Sequence, residues 1–467
     1  MMHRSLLLLR KTSQALPRPS FRSVTTHKTN QVYSNAELKL GDIEVMGFDY
    51  DFTLVSYTHQ VQGLVYDTAK KYLVDRLLYP SALEDTTFDS SFCIRGLVFD
   101  RKHGTLLKLS ARQMITPGSV FKGRRRLPMA EVLHTYNNSL HLRQQHIKQY
   151  CRPLPDLFSL AQGCLISDVI QLAENLQIPY DPYWLHADVA KAINYAHGEG
   201  GIHATIMRDV ETYVHPNPKL RPYLERLHAN KKSTFLLTNS PFEFVNVGMT
   251  FLCGEDWLKL FDVSMFEASK PTFFKSKKKF RSLDSQHQFI KWGIVSDEEV
   301  SKGRGLVGGS VNEMMRLTKW HGKQIMYWGD HVFADLAEPS RQAGWHTGAI
   351  VRELDHEIDT LQSVDYVHLM EQGEMIAGEL EKATRQSNAK HLDVLELKRN
   401  ENFKLKSTLF NPNFGSVFLS RGQPSSFGWN VRRLSDLYTS KLSNLLNYDD
   451  DCRFYPTSST MQHERGK

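Results

Sequence analysis

Long apolar runs, cysteine motifs and excess charge on the body of the chain are all missing from this 467-residue sequence. The longest apolar run near the start, Leu6 to Leu9, is far short of the roughly 20 residues that a spanning helix needs, so no membrane span is expected. Five cysteines (Cys93, Cys151, Cys164, Cys253, Cys452) are odd in number, scattered and without a C-x-x-C pair. That spacing offers neither a zinc site nor a disulfide framework and fits a reducing compartment. Each cysteine reads as a small buried hydrophobe. The formal charge of +7 is concentrated in residues 1–35, which hold six Lys or Arg and no acid. The remainder carries 52 basic against 51 acidic residues, so no global electrostatic case for a nucleic-acid partner survives.

What is present at the N-terminus is basic, acid-free and rich in Ser and Thr, with the amphipathic start "MMHRSLLLLRK". That composition predicts a mitochondrial transit peptide over residues 1–35, and hence a matrix location. Beyond it, helix-like stretches alternate with short β-rich runs. "NPKLRPYLERLHAN" precedes "TFLLT", "PFEFVNVGMTFLCG" precedes "LFDVSMF", and "SVNEMMRLTKWHG" precedes "KQIMYWGD", with "GAIV" following. This alternation predicts a parallel α/β sheet. It begins at "VMGFDYDFTLV", residues 45–55, breaks off for about 150 residues and resumes near 217. The interruption reads as an insertion after the first strand: a hairpin at 93–110, then mainly helical sequence at 128–200. A late helix is expected at "LSDLYTSKLSNLL".

Ligands of open α/β sheets bind at the carboxyl ends of strands. Those ends carry "DYDFT", Thr238–Asn239–Ser240, Ser269–Lys270–Pro271 and "GDHVFAD". Carboxylates, hydroxyls, an amide and a lysine are the parts of a phosphoryl-transfer site. One carboxylate attacks phosphorus and a second carboxyl moves the leaving-group proton. Lys, hydroxyl and N–H groups hold the oxyanions, and carboxylates hold Mg²⁺. Each element alone is weak. A lone D-x-D is also a turn, or a metal clamp for sugar nucleotides, and Thr-Asn-Ser is more often a helix cap. The order of all four carries the reading.

Those four stretches resemble the motifs of the haloacid dehalogenase superfamily of phosphatases. "FDYDFTL", "RGLVFD", "KPTFF", "GDHVFADL", "GWHTGAIVREL", "FNPNFGSVF", "WNVRRLSDLY" and "LLNY" are similar to its 5′-nucleotidase branch, over roughly residues 36–457. The resemblance implies a Rossmann-like α/β core with a largely helical cap inserted after the first core strand, and a C-terminal extension. The expected division is core at 36–110, cap at 111–205, the rest of the core at 206–365 and the extension at 366–467. It also implies a Mg²⁺-dependent phosphomonoesterase acting on a small phosphate ester, a nucleotide, and a homo-oligomer. By motif position, Asp49 is the nucleophile and Asp51 the general acid and base, with its carbonyl on the metal. Thr238, Asn239 and Lys270 bind the phosphoryl group. Asp49, Asp51 and Asp330 surround Mg²⁺, and Asp335 orients that shell. Phe158 and His197 are implied substrate contacts.

The cap departs from the branch pattern. Ala190 and Asn194 stand where the purine nucleotidase has Arg and Asp, and Ser159 stands where it has Asn. Losing such a partner costs selectivity of about 1–3 kcal/mol per group. A catalytically weak binding or scaffold protein, and a phosphotransferase to nucleosides, are therefore competing readings. Two further patterns are discounted. "GRGLVG", residues 303–308, follows no strand, so it lacks the context of a dinucleotide fingerprint. "KSKKKFR", residues 275–281, reads as a solvated basic loop rather than an anion contact.

Overall fold

Runs of β-branched and aromatic residues become strands buried on both faces, which is why they lack polar alternation. The computed structural model describes residues 29–457 apart from 285–289, 294, 296–299, 301–304 and 386–388. Nine strands form one sheet: β1 Val32–Ser34, β2 Val45–Phe48, β3 Ser233–Leu237, β4 Val263–Phe266, β5 Phe280–Ser282, β6 Gly305–Gly308, β7 Ile325–Gly329, β8 His346–Ile350 and β9 Leu437–Thr439. Their spatial order is β1-β9-β8-β7-β2-β3-β4-β6-β5. The strands from β9 to β6 are parallel, and the edges β1 and β5 are antiparallel. β2 lies at the centre between β3 and β7, with all four of its residues buried. Gly47 is required there, because a Cβ would meet the Phe235 ring at 2.0 Å.

After β2 the chain leaves the sheet and returns through paired linkers. Tyr57 and Val214 form an antiparallel bridge, with Thr58 N donating to Tyr213 O (2.9 Å) and His215 N to Ser56 O (2.7 Å). Between them lie the helices His59–Leu77, Ser159–Asn175, Pro182–His197 and Ile202–Arg208. Helix Pro182–His197 starts where Asp181 accepts from Tyr183 N and proline occupies the first turn, a strong helix start.

Several placements differ from the sequence expectations. The hairpin grouped with the core pairs in a separate five-stranded antiparallel sheet. Its order is Arg125–Arg126, Phe121–Lys122, Thr105–Leu107, Val98–Asp100 and Cys151–Pro153. The alternation of the hairpin explains this: Phe99 and Leu106 face the main core, while Val98 and Leu107 close a second core with Leu109, Val120 and Val132. The chain between the paired linkers, about residues 58–213, thus contains a sheet as well as helices. Residues 1–28 of the expected transit peptide lie outside the described residues, but Val32–Ser34 within it is an edge strand, with Tyr33 stacked on Tyr438 at 5.4 Å. The late helix is instead β9 followed by a 3-10 turn at Leu442–Asn447. Leu437 is fully buried against β8, and that sheet contact overrides helical spacing. Between core and tail, Val364–Arg385 and Ala389–Thr408 pack as a helical hairpin. No helix among the described residues is long and apolar enough to cross a membrane.

Candidate active site

Four neighbouring strand ends, those of β7, β2, β3 and β4, converge on one cavity of about 630 Å³ between sheet and insertion. At the end of β2, Asp49 N donates to Trp328 O of β7 (2.8 Å), so the first carboxylate is anchored to the neighbouring strand. Extended geometry stops there. Val55 N closes a wide turn onto Tyr50 O (3.1 Å), and Phe52 adopts φ +54°. Arg352, just past β8, pins this turn by donating to Phe52 O (3.3 Å) and Val55 O (2.8 Å). Asp51 thus reaches the cavity from a turn rather than from the same face of a strand. At the end of β7, Gly329 makes room for Asp335, whose Cβ would lie 2.2 Å from any side chain added there. The Asp335 carboxylate accepts from His331 N (3.1 Å), which fixes the loop that carries Asp330.

Lys270 is the hub of the buried charges. Its ammonium lies 2.7 Å from Asp49 Oδ1, 2.7 Å from Asp335 Oδ1 and 2.9 Å from the Tyr327 hydroxyl. Burial works against this cation, but Asp335 and Asp49 hold its pKa above the ordinary lysine range. Asp49 is pushed well above the usual carboxylate range by burial, with Lys270 opposing and Asp335 and Asp51 adding to the rise. Burial likewise raises Asp330, opposed by Arg95. Oδ1 of Asp49 takes the contact with Lys270 and the hydrogen bond from Tyr50 N (2.7 Å), so Oδ2 is the oxygen without a described bond. Asp51 accepts from the Tyr57 hydroxyl on Oδ1 (2.5 Å) and from the Ser240 hydroxyl on Oδ2 (2.7 Å).

This arrangement is short of positive charge. Asp49, Asp51, Asp156, Asp330 and Asp335 line the cavity with Lys270 as the one Lys or Arg among the described lining residues. Oxygens of Asp49, Asp330 and Asp335 lie within 4.8 Å of one another. Oδ2 of Asp330 is buried without a hydrogen-bond partner, and Arg95 approaches it only to 3.6 Å. An orphaned carboxylate oxygen beside two others, all hard donors, fits a small divalent cation such as Mg²⁺. Asp49 and Asp330 are the residues that could hold it. Asp51, expected to reach the metal through its backbone carbonyl, is not in this carboxylate triangle, whereas Asp335 is. The bonds of Asp335 to Lys270 and His331 nevertheless give it an orienting place.

The remaining expected residues divide. Phe158 and His197 line the cavity edge-on to one another at 5.1 Å, and Phe158 packs on Phe52 of the turn at 4.7 Å. Asn194 lines it too. Asn239 reaches the lining, but its amide is committed to the Lys270 backbone: Oδ1 accepts from Lys270 N (2.6 Å) and Nδ2 donates to Lys270 O (3.1 Å). Thr238 is fully buried and accepts from Ser240 N (3.0 Å), so the hydroxyl beside Asp51 is that of Ser240. A three-residue strand-end run does not reveal which of its side chains turns inward.

Sequence reasoning missed other members. Arg95 is fully buried, forks onto Glu353 (Nε–Oε1 3.0 Å, Nη2–Oε2 2.5 Å) and donates to Asp330 O (3.2 Å). It ties the insertion to the strand end that carries Asp330. The only signal was its place in "RGLVFD". Tyr57, Asp156 and His203 also line the cavity, and His203 stacks on Phe244 at 4.2 Å. Burial lowers the pKa of His203, partly offset by Asp51. The discounted patterns are structural. Gly305–Gly308 is strand β6, with residues 303 and 304 outside the described residues. In the basic run, Lys279 pairs with Glu313 (2.7 Å) and Lys275 with Glu338 (3.0 Å).

Comparison with known proteins places the sequence in a family. A sequence profile described as the 5′ nucleotidase family matches residues 32–466. A 5′-nucleotidase domain-containing protein of Dictyostelium discoideum is 36% identical over 451 residues, covering 94% of this chain and 76% of that protein. 5′-Nucleotidase domain-containing protein 2 of Homo sapiens is 35% identical over 447 residues, covering 93% of this chain and 85% of that protein. The protein of the same name from Rattus norvegicus is also 35% identical, covering 80% of its own length.

Proposed function

The chain belongs to the 5′-nucleotidase family, and from that premise we propose that it is a Mg²⁺-dependent phosphomonoesterase that hydrolyses nucleoside 5′-monophosphates through an aspartyl-phosphate at Asp49. The observation that carries this reading is the buried Asp49–Lys270–Asp335 cluster beside the Asp330 oxygen that accepts no hydrogen bond. Lys270 holds Oδ1 of Asp49, leaving Oδ2 to attack phosphorus. The same ammonium offsets charge that builds on the transferring group. Asp51, oriented by Tyr57 and Ser240, donates a proton to the leaving oxygen. It then takes one from the water that cleaves the acyl phosphate. Mg²⁺ bound by Asp49, Asp330 and the Asp51 carbonyl would neutralise phosphate charge among five carboxylates. On the opposite wall, Phe158 and His197, with their rings perpendicular to one another, line the space that a planar base would fill.

The test is phosphate release from a panel of monophosphates with and without Mg²⁺, beside Asp49→Asn and Asp330→Asn. Metal-dependent turnover lost in both variants supports the proposal. Turnover that persists in Asp49→Asn removes the covalent route. Ala190 and Asn194 keep a second reading open, that of a nucleotide-binding scaffold. It predicts ligand-induced thermal stabilisation with no phosphate released. We also propose mitochondrial import by the basic leader. A reporter carrying residues 1–35 that stays diffuse in the cytosol contradicts that proposal.

A further inference from the structure

Away from the phosphatase cavity, Asp100, His146 and Cys151 place a carboxylate oxygen, an imidazole nitrogen and a sulfur within 4.8 Å of one another. The sequence showed no such site, because the cysteines have no ligand spacing. The fold creates it. Asp100 and Cys151 are register partners on adjacent antiparallel strands, so their side chains leave the same face of the small sheet. The short helix Gln144–Tyr150 runs directly into Cys151 and brings His146 over the pair.

The charge balance at Asp100 points to a cation. The residue is fully buried, and no Lys or Arg forms an ion pair with it among the described residues. Its oxygens meet the Tyr136 hydroxyl (3.0 Å), Lys102 N (2.9 Å) and His146 Nε2 (2.8 Å). A buried carboxylate whose one ion-pair partner is an imidazole, charged only when protonated, is costly. The two groups beside it, imidazole and thiol, are metal ligands in their own right. The cluster also borders a cavity of about 360 Å³, lined by His146, His103, His141 and Tyr136, with room for water as a further ligand. His103 stacks on His146 at 5.7 Å and fixes its ring.

The geometry points to a Zn²⁺ site formed by Asp100, His146 and Cys151, with Tyr136 as the outer partner that holds the carboxylate. The O, N and S donor set suits a borderline-soft ion, in contrast to the all-oxygen set of Asp49 and Asp330. Tetrahedral ligands at the usual zinc distances stand about 3.3–3.6 Å apart. Seating the ion therefore parts the hydrogen-bonded Asp100–His146 pair, now at 2.8 Å, by about half an ångström. The thiol proton leaves to solvent as the thiolate binds.

Cobalt is the decisive probe, because a thiolate ligand gives Co²⁺ a near-ultraviolet charge-transfer band that oxygen ligands do not. The full chain, stripped of metal, is titrated with Co²⁺ and then with Zn²⁺. Expected are one equivalent with the thiolate band, displacement by Zn²⁺, and retention of the band in Asp330→Asn. Cys151→Ser is expected to abolish the band and weaken Zn²⁺ by more than about 100-fold, and Tyr136→Phe by the 10–100-fold of an outer partner. Asp100→Asn, close in shape to the parent, guards against misfolding: a variant with unchanged circular dichroism and no band still supports the site. A band that survives Cys151→Ser, or no band in a folded parent chain, shows a hydrogen-bonded triad only and overturns the proposal.

Discussion

The two walls of the phosphatase cavity are built differently. On the sheet side, Asp49, Lys270, Asp330 and Asp335 are each less than a tenth exposed and sit at or just beyond strand ends. Lys270, Asp49 and Asp335 are joined at 2.7 Å. On the insertion side, Phe158, Asn194 and His197 lie on or beside helices, partly exposed, and touch mainly through ring edges. The sheet wall has one arrangement, dictated by strand register, and suits chemistry that tolerates little displacement. The insertion wall presents replaceable side chains on a helical surface, where a change at a lining position such as Asn194 alters what is recognised without touching the charges. Arg95 forms the seam between them.

Four changes break or sharpen this contrast. Asp49→Asn strikes the sheet wall and is expected to lower turnover by about 10⁴-fold or more while the fold persists, as measured by phosphate release and circular dichroism. Arg95→Met strikes the seam. Removing one partner of a buried ion pair costs about 3–5 kcal/mol, so denaturant unfolding is expected to show a loss of that order. An unchanged midpoint contradicts the role given to Arg95. His186 belongs to the insertion alone and stacks on Phe99 at 5.6 Å. Burial, with Arg101 and Arg152, pushes its pKa down to about 4. The unfolded chain therefore binds this proton first, so stability is lost as pH falls from about 6.5 through about 4, by about 1–3 kcal/mol. Hydrogen-exchange protection in Pro182–His197, corrected for the intrinsic pH dependence of exchange, is expected to fall over that range before protection in β2 does, and His186→Phe to remove the difference. Phe158→Ala strikes only the insertion wall. It is expected to lower kcat/KM for nucleotides by about 10-fold, mostly through KM. A loss confined to kcat would place Phe158 with the chemistry.

The contrast also explains what could be read in advance. Strand-end motifs are local in sequence, so "DYDFT", "SKP" and "GDHVFAD" located the carboxylates and the lysine, and alternation located β2, β3, β4, β7 and β8. Three kinds of feature were hidden. The side-chain direction within Thr238–Asn239–Ser240 depends on a turn, and it gave the hydroxyl beside Asp51 to Ser240. The Arg95–Glu353 pair spans 258 positions and follows no local pattern. Short strands such as β6 and β9 lie in sequence that reads as a loop or a helix, and only pairing with β4 and β8 makes them strands. The Asp100–Cys151 juxtaposition was hidden for the same reason, since cross-strand register leaves no spacing in the chain.

The central claim is that Asp49 becomes phosphorylated. Mixing the protein with a nucleoside monophosphate and Mg²⁺, quenching in acid within a turnover and mapping peptides by mass tests it most directly. The account predicts one phosphoryl group on the peptide that contains Asp49, absent in Asp49→Asn. Turnover with no phosphorylated peptide, or with the phosphoryl group on another residue, contradicts it.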